Sequence, residues 1–178
     1  MEPSAQGENN DLQKLSSELK SIRKLDLVIL GHTCDDEAKL KECLIRDSNY
    51  IVKTISGKRV DGYKETKMNC YTGTLGVYEA FCIVLTDPTW DFLKKCLKIF
   101  LEDERSGIDN KMRTRSVFYC GHGLLDGSVL LCDDDVISFS DFSNAVFPTD
   151  LWRTVDHQLI LYLNCCFALR MASFQNRI

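Results

Sequence analysis

The chain lacks the marks of several large functional classes. It carries no basic stripe: 22 Lys and Arg stand against 26 Asp and Glu, a net charge of −4. Nucleic-acid binding is therefore not suggested. No apolar run approaches the roughly 18 residues of a membrane span, so no membrane partner is expected. The N-terminal stretch is polar, without the basic-then-apolar order of a secretory signal. A cytoplasmic location is the expectation. There is no Cys-x-x-Cys, and the three histidines, His32, His122 and His157, are scattered. Standard zinc spacing is absent, and neither metal nor cofactor is expected. No internal repeat or low-complexity segment is present. A nucleotide or flavodoxin-like binder would need a Gly-rich turn after the first strand, and Gly31 stands alone there.

What the chain does have is cysteine, nine in 178 residues, with 44% apolar and 27% charged residues around them. That composition is ordinary for a globular domain. An odd count without an export signal makes thiols the default, most of them small buried apolar groups.

Residues 1–10 read as disordered. Residues 11–24 space Leu12, Leu15, Leu19 and Ile22 three or four apart, an amphipathic helix. Residues 25–178 read as a single domain. Leu25 to Leu30 forms a buried strand, Asp35 to Arg46 a helix, and Tyr50 to Ser56 a second strand, together a βαβ unit. Gly57 to Gly76 reads as a long polar loop or hairpin, and Phe81 to Leu85 as a strand. Trp90 to Glu104 is the clearest helix, with Phe92, Leu93, Cys96, Leu97, Phe100 and Leu101 on one face. Arg115 to Cys120 is a strand running into Gly121-His122-Gly123. A hairpin with Gly127 in a turn follows, then a helix from Ser138 towards Val146. Leu159 to Leu163, the most apolar run, reads as a central strand ending at Asn164-Cys165-Cys166, with a short helix from Ala168. The order predicts an α/β fold, a mostly parallel sheet with helices on both faces. Sites in such sheets form at the carboxyl ends of the strands.

Two of these strands end in reactive residues. One delivers His122 between glycines, the other Cys165 and Cys166, 43 and 44 residues later. A thiol needs a base or cation nearby to act as a thiolate near neutral pH, and histidine supplies one. Glycine beside the histidine lets a substrate backbone approach, and the Gly123 amide is a candidate oxyanion donor. Asp133-Asp134-Asp135 is a candidate calcium cluster, but calcium takes six to eight oxygens; a solvated turn accounts for it more simply.

Phe118-Tyr119-Cys120-Gly121-His122-Gly123 resembles the histidine motif of the caspase, metacaspase and paracaspase group. Leu161 to Ala168 resembles its cysteine motif. The resemblance spans about Lys24 to Arg170. It implies a three-layer α/β/α caspase-like domain and a cysteine endopeptidase acting on polypeptides. Cys166 aligns with the nucleophile, Cys165 with the small residue before it, and His122 with the base. The backbone amides of Gly123 and Cys166 align with the oxyanion hole, and Asn164 with a substrate-binding Gln or Asp. Asp35 and Asp36, just after the first strand, stand where caspases carry an aspartate-binding arginine, a lean towards basic substrates; as residue types they also suit a helix N-cap. Phe167 and Ala168 depart from the family pattern. The family fold continues past the cysteine strand with two more strands and a helix, whereas this chain ends 12 residues after Cys166. The expectation is thus a fold lacking the small-subunit half, with a homologous protease or small-subunit partner at the open sheet edge. The alternative is a catalytically inactive caspase-like regulator or decoy that binds a protease.

Overall fold

The computed structural model describes residues 13, 24–31, 42, 46–47, 49–54, 68–75, 78–101, 113–132, 135–148 and 157–166. They build an α/β fold on a mixed, mostly parallel five-strand sheet with few helices. Its strands are β1 (Lys24–Leu30), β2 (Met68–Leu75), β3 (Tyr78–Thr86), β4 (Arg113–Cys120) and β7 (His157–Asn164), in the order β2-β3-β1-β4-β7. β3, β1, β4 and β7 run parallel, and β2 is antiparallel to β3. A small antiparallel pair, β5 (Val129–Leu130) with β6 (Val136–Ile137), stands apart. Two helices are described from end to end, α1 (Trp90–Leu101) and α2 (Phe139–Val146).

Strand periodicity divides the core in two. Successive side chains of a strand point to opposite faces. Leu25, Leu27 and Ile29 of β1, Phe81, Ile83 and Leu85 of β3, and Val117 and Tyr119 of β4 therefore share one face, which α1 and α2 cover. Val28 and Leu30, Ala80, Cys82 and Val84, and Cys120 share the other, packed with Val52 of a helical stretch at 49–54. β1 is buried on both sides, which explains the apolar run from Leu27 to Leu30.

Both helices begin as their sequences dictate. Thr89 caps α1: its hydroxyl accepts from the Phe92 N–H at 3.3 Å, while Asp135 reaches 45 residues back to accept from the Trp90 N–H at 2.7 Å. In α2 the Ser138 hydroxyl caps the helix: it accepts from the Asp141 N–H at 3.1 Å and donates to the Asp141 carboxylate at 2.7 Å. α2 then buries Phe139, Phe142 and Val146.

Three expectations change. Residues 50–54 are helical, not a strand; Thr54 donates its hydroxyl to the Tyr50 carbonyl one turn back at 2.8 Å. Ile51 and Val52 pack against the second core, so contact with the sheet selects the helix over the β-branched content of the segment. The parallel neighbours of β1 are consequently β3 and β4. Second, the stretch read as a long polar loop or hairpin contains β2, whose Tyr71 and Thr72 pair antiparallel with Cys82 and Phe81. Third, among the described strands β7 stands at one end of the order and not at its centre, and Tyr162 is 46% exposed.

Residues 1–10, the helix expected at 11–24 (apart from residue 13, which is helical, and Lys24, which opens β1), Asp35 and Asp36, and the stretch beyond Cys166 lie outside the described residues. Among those described, no helix is long and apolar enough to cross a membrane.

Candidate active site

β4 and β7 pair in parallel with Cys120 opposite Asn164. Counting on from that pair brings His122 and Cys166 to matching positions, each two residues past its strand. The chains stay joined beyond the ladder, since the Gly121 N–H donates to the Asn164 carbonyl at 3.3 Å. Gly123 lies directly on the cysteine pair. A Cβ there would collide with the Cys166 carbonyl oxygen and stand 3.2 Å from the Cys165 sulfur. The fold thus gathers the Gly-His-Gly turn and the Cys-Cys pair, distant in sequence, at one rim.

The turn is held from its other side by β5. Gly123 bridges Val129, with the Leu124 N–H donating to the Ser128 carbonyl at 2.8 Å and the Leu130 N–H to the His122 carbonyl at 3.1 Å. In such a non-hydrogen-bonded pair the flanking residues make the bonds. The N–H of Gly123 is therefore turned away from β5. Gly127 closes the turn with φ of 89°, a conformation open to glycine at little cost.

The two thiols occupy different environments. Cys165 is half-buried and packs with Leu159, Leu161 and Leu163 against the core. Burial, with the neighbouring Cys166 adding to it, pushes its thiol pKa up to about 11. Cys166, one residue on, is exposed. Cys120 is buried on the other face, and its pKa is also pushed up to about 11, by burial first and then by the charge of Asp47; a hydrogen bond from Asn164 opposes the shift. At neutral pH Cys120 and Cys165 are protonated.

Asn164 carries a contact with no trace in sequence. Its Nδ2 donates to Asp47 Oδ2 at 2.6 Å, across 117 residues, and Asp47 also pairs with Arg46 Nε at 3.4 Å. Asp47 stands one residue past the expected helix at 35–46, with nothing local to mark it. Tyr119, buried beneath the turn, carries no local mark of a role; its hydroxyl lies 2.7 Å from the His122 carbonyl oxygen.

The acidic run has a structural use. Asp135 caps α1 and accepts from the Cys132 thiol at 3.6 Å, while Asp133 and Asp134 fall outside the described residues. Among those described, no group of three or more His, Cys, Asp or Glu is placed to hold a metal.

No protein-family model matches the chain, and no curated protein matches it either.

Proposed function

We propose that the chain is a caspase- or metacaspase-like cysteine endopeptidase, with Cys166 as nucleophile and His122 as base. The observation that carries this reading is the register: Cys120 pairs with Asn164, and Gly123 seats against Cys165–Cys166. Two chemically complementary residues then share one rim at the carboxyl ends of adjacent parallel strands, where α/β sheets hold their sites. The α/β sheet is compatible with a caspase-like three-layer sandwich.

The chemistry follows from the groups. The His122 imidazole takes the Cys166 proton, and the thiolate adds to the scissile carbonyl carbon. The oxyanion forms towards the amides of Gly123 and Cys166. The imidazolium returns its proton to the amine as the C–N bond breaks, leaving an acyl-enzyme that water hydrolyses. Exposure separates the two thiols, since Cys166 is open to a substrate and Cys165 is packed.

A peptide carrying an electrophilic ketone tests the assignment. Labelling is expected at Cys166, retained in Cys165→Ala and lost in Cys166→Ala. In His122→Ala it should fall by about 100-fold or more, the scale of general-base assistance. Undiminished labelling in His122→Ala would overturn the dyad.

One observation favours a second reading. β7 stands at the end of the strand order with Tyr162 exposed, and a strand at a sheet end is a template for pairing. A catalytically inactive regulator, holding a homologous protease along β7, predicts no labelling and a stable complex with that protease.

A further inference from the structure

We propose that Tyr119 is a positioning residue for His122: its buried hydroxyl holds the His122 carbonyl and so fixes where the imidazole-bearing turn stands against Cys166. The proposal rests on the cysteine–histidine reading above and names a residue that holds the backbone of its base.

Tyr119 is fully buried at the end of β4, three residues before the histidine whose backbone it touches. Its oxygen is a hub. It lies 2.7 Å from the His122 carbonyl oxygen and 2.7 Å from the Leu130 carbonyl oxygen, and it accepts from the Leu130 N–H at 3.1 Å. The same N–H also reaches the His122 carbonyl at 3.1 Å. A phenol has one proton to donate, so it serves one of the two carbonyls at a time and ties the turn and β5 into one unit. Burial holds the phenol well above its ordinary pKa, so the hydroxyl remains a donor wherever the dyad would work.

The surroundings are shaped for that hub. A Cβ at Gly121 would stand 2.7 Å from the Tyr119 hydroxyl, and one at Gly31 would stand 3.0 Å from it. Both glycines roof the ring tip because no side chain fits there. Phe142 meets the ring edge-on at 5.7 Å and 66°, so its tilt is fixed from α2. The hydroxyl makes a purchase that packing alone does not need: an apolar ring would fill the same space without gripping the His122 backbone. A buried polar group is retained at a cost unless its bonds are used.

The experiment is the second-order rate of Cys166 alkylation by iodoacetamide, followed by peptide mapping across about pH 5 to 9. It is run on the full chain and on the His122→Ala, Tyr119→Phe and Phe142→Leu variants. Tyr119→Phe removes only the hydroxyl. Phe142→Leu loosens the same ring but keeps it. The His122-dependent limb near neutrality is expected to fall about tenfold in Tyr119→Phe, because small displacements of a reacting group are costly, and to persist in Phe142→Leu. The positioning role is overturned if Tyr119→Phe superposes on the parent while His122→Ala does not, or if Phe142→Leu loses the limb equally. A parent and His122→Ala that share one profile remove the dyad itself, a separate failure that takes this role with it. Incorporation of 3-fluorotyrosine at 119 gives a readout that leaves the hydroxyl in place. It strengthens the donor, and the His122 ring resonances must move; if they stay, the role is excluded.

Discussion

At the scale of single residues, the alternation of β7 gives two adjacent cysteines at its end different environments, Cys165 packed and Cys166 exposed. Cys165 follows Leu159, Leu161 and Leu163 onto the packed face, and its thiol is held protonated to about pH 11. Cys120 reaches a similar value from the opposite face, from burial and then Asp47. Both values lie above the ordinary 9.0 of a cysteine thiol. Between about 9 and about 11 the unfolded chain has released these protons while the folded chain keeps them. The folded state then binds more protons, so stability is full below the unfolded value and falls as pH rises through the window. Urea midpoints measured across that window should drop more steeply in the parent chain than in Cys120→Ala. Equal slopes would show that the buried thiol contributes nothing to alkaline unfolding.

At the scale of elements, legibility followed how many independent signals each segment carried. α1 was readable because Phe92, Leu93, Cys96, Leu97, Phe100 and Leu101 mark a helical face, while Thr89 supplies a local cap. The segment around Ile51 and Val52 offered only β-branched residues and a stripe that suits either period, and contact with the second core decided it. β2 was obscured because Met68 to Leu75 mixes apolar, polar and small residues without a clean period of two; its strand character comes from pairing with β3, which no local pattern encodes. The rim motifs were readable because Gly121-His122-Gly123 and Cys165-Cys166 each follow directly on a strand with an apolar run. The Asn164–Asp47 bond was not, because its partners are joined only by the fold. α2 offers a direct check on local capping. Ser138→Ala removes the acceptor for the Asp141 N–H and should cost about 1 kcal/mol, read as a shift in urea midpoint with unchanged slope. A loss near zero would mean that packing of Phe139, Phe142 and Val146 fixes the helix start without help.

At the scale of the whole molecule, the candidate site is a property of the contact between β4 and β7, and not of either strand. Phe118 stacks on Tyr162 across that contact, at 4.5 Å and 5°, and the ladder runs from Arg113 opposite His157 to Cys120 opposite Asn164. Beyond it, Gly123 is the point where the two ends touch. Its backbone is not left-handed, since among the described glycines only Gly127 has a positive φ. What excludes a side chain at 123 is therefore the Cys166 carbonyl against it, and behind that the Cys165 sulfur. Gly123→Ala should force the end of β7 away from the His122 turn while leaving the paired strands below intact. The expected cost is about 1–3 kcal/mol, the usual range for overpacking a close contact, with a disproportionate loss in site chemistry. Labelling of Cys166 by the peptide ketone should fall about tenfold or more, as expected for misplaced reacting groups, under conditions where circular dichroism shows the variant fully folded. Undiminished labelling in folded Gly123→Ala would mean that the cysteine reacts independently of the histidine turn, and the joint site would dissolve into two unrelated strand ends.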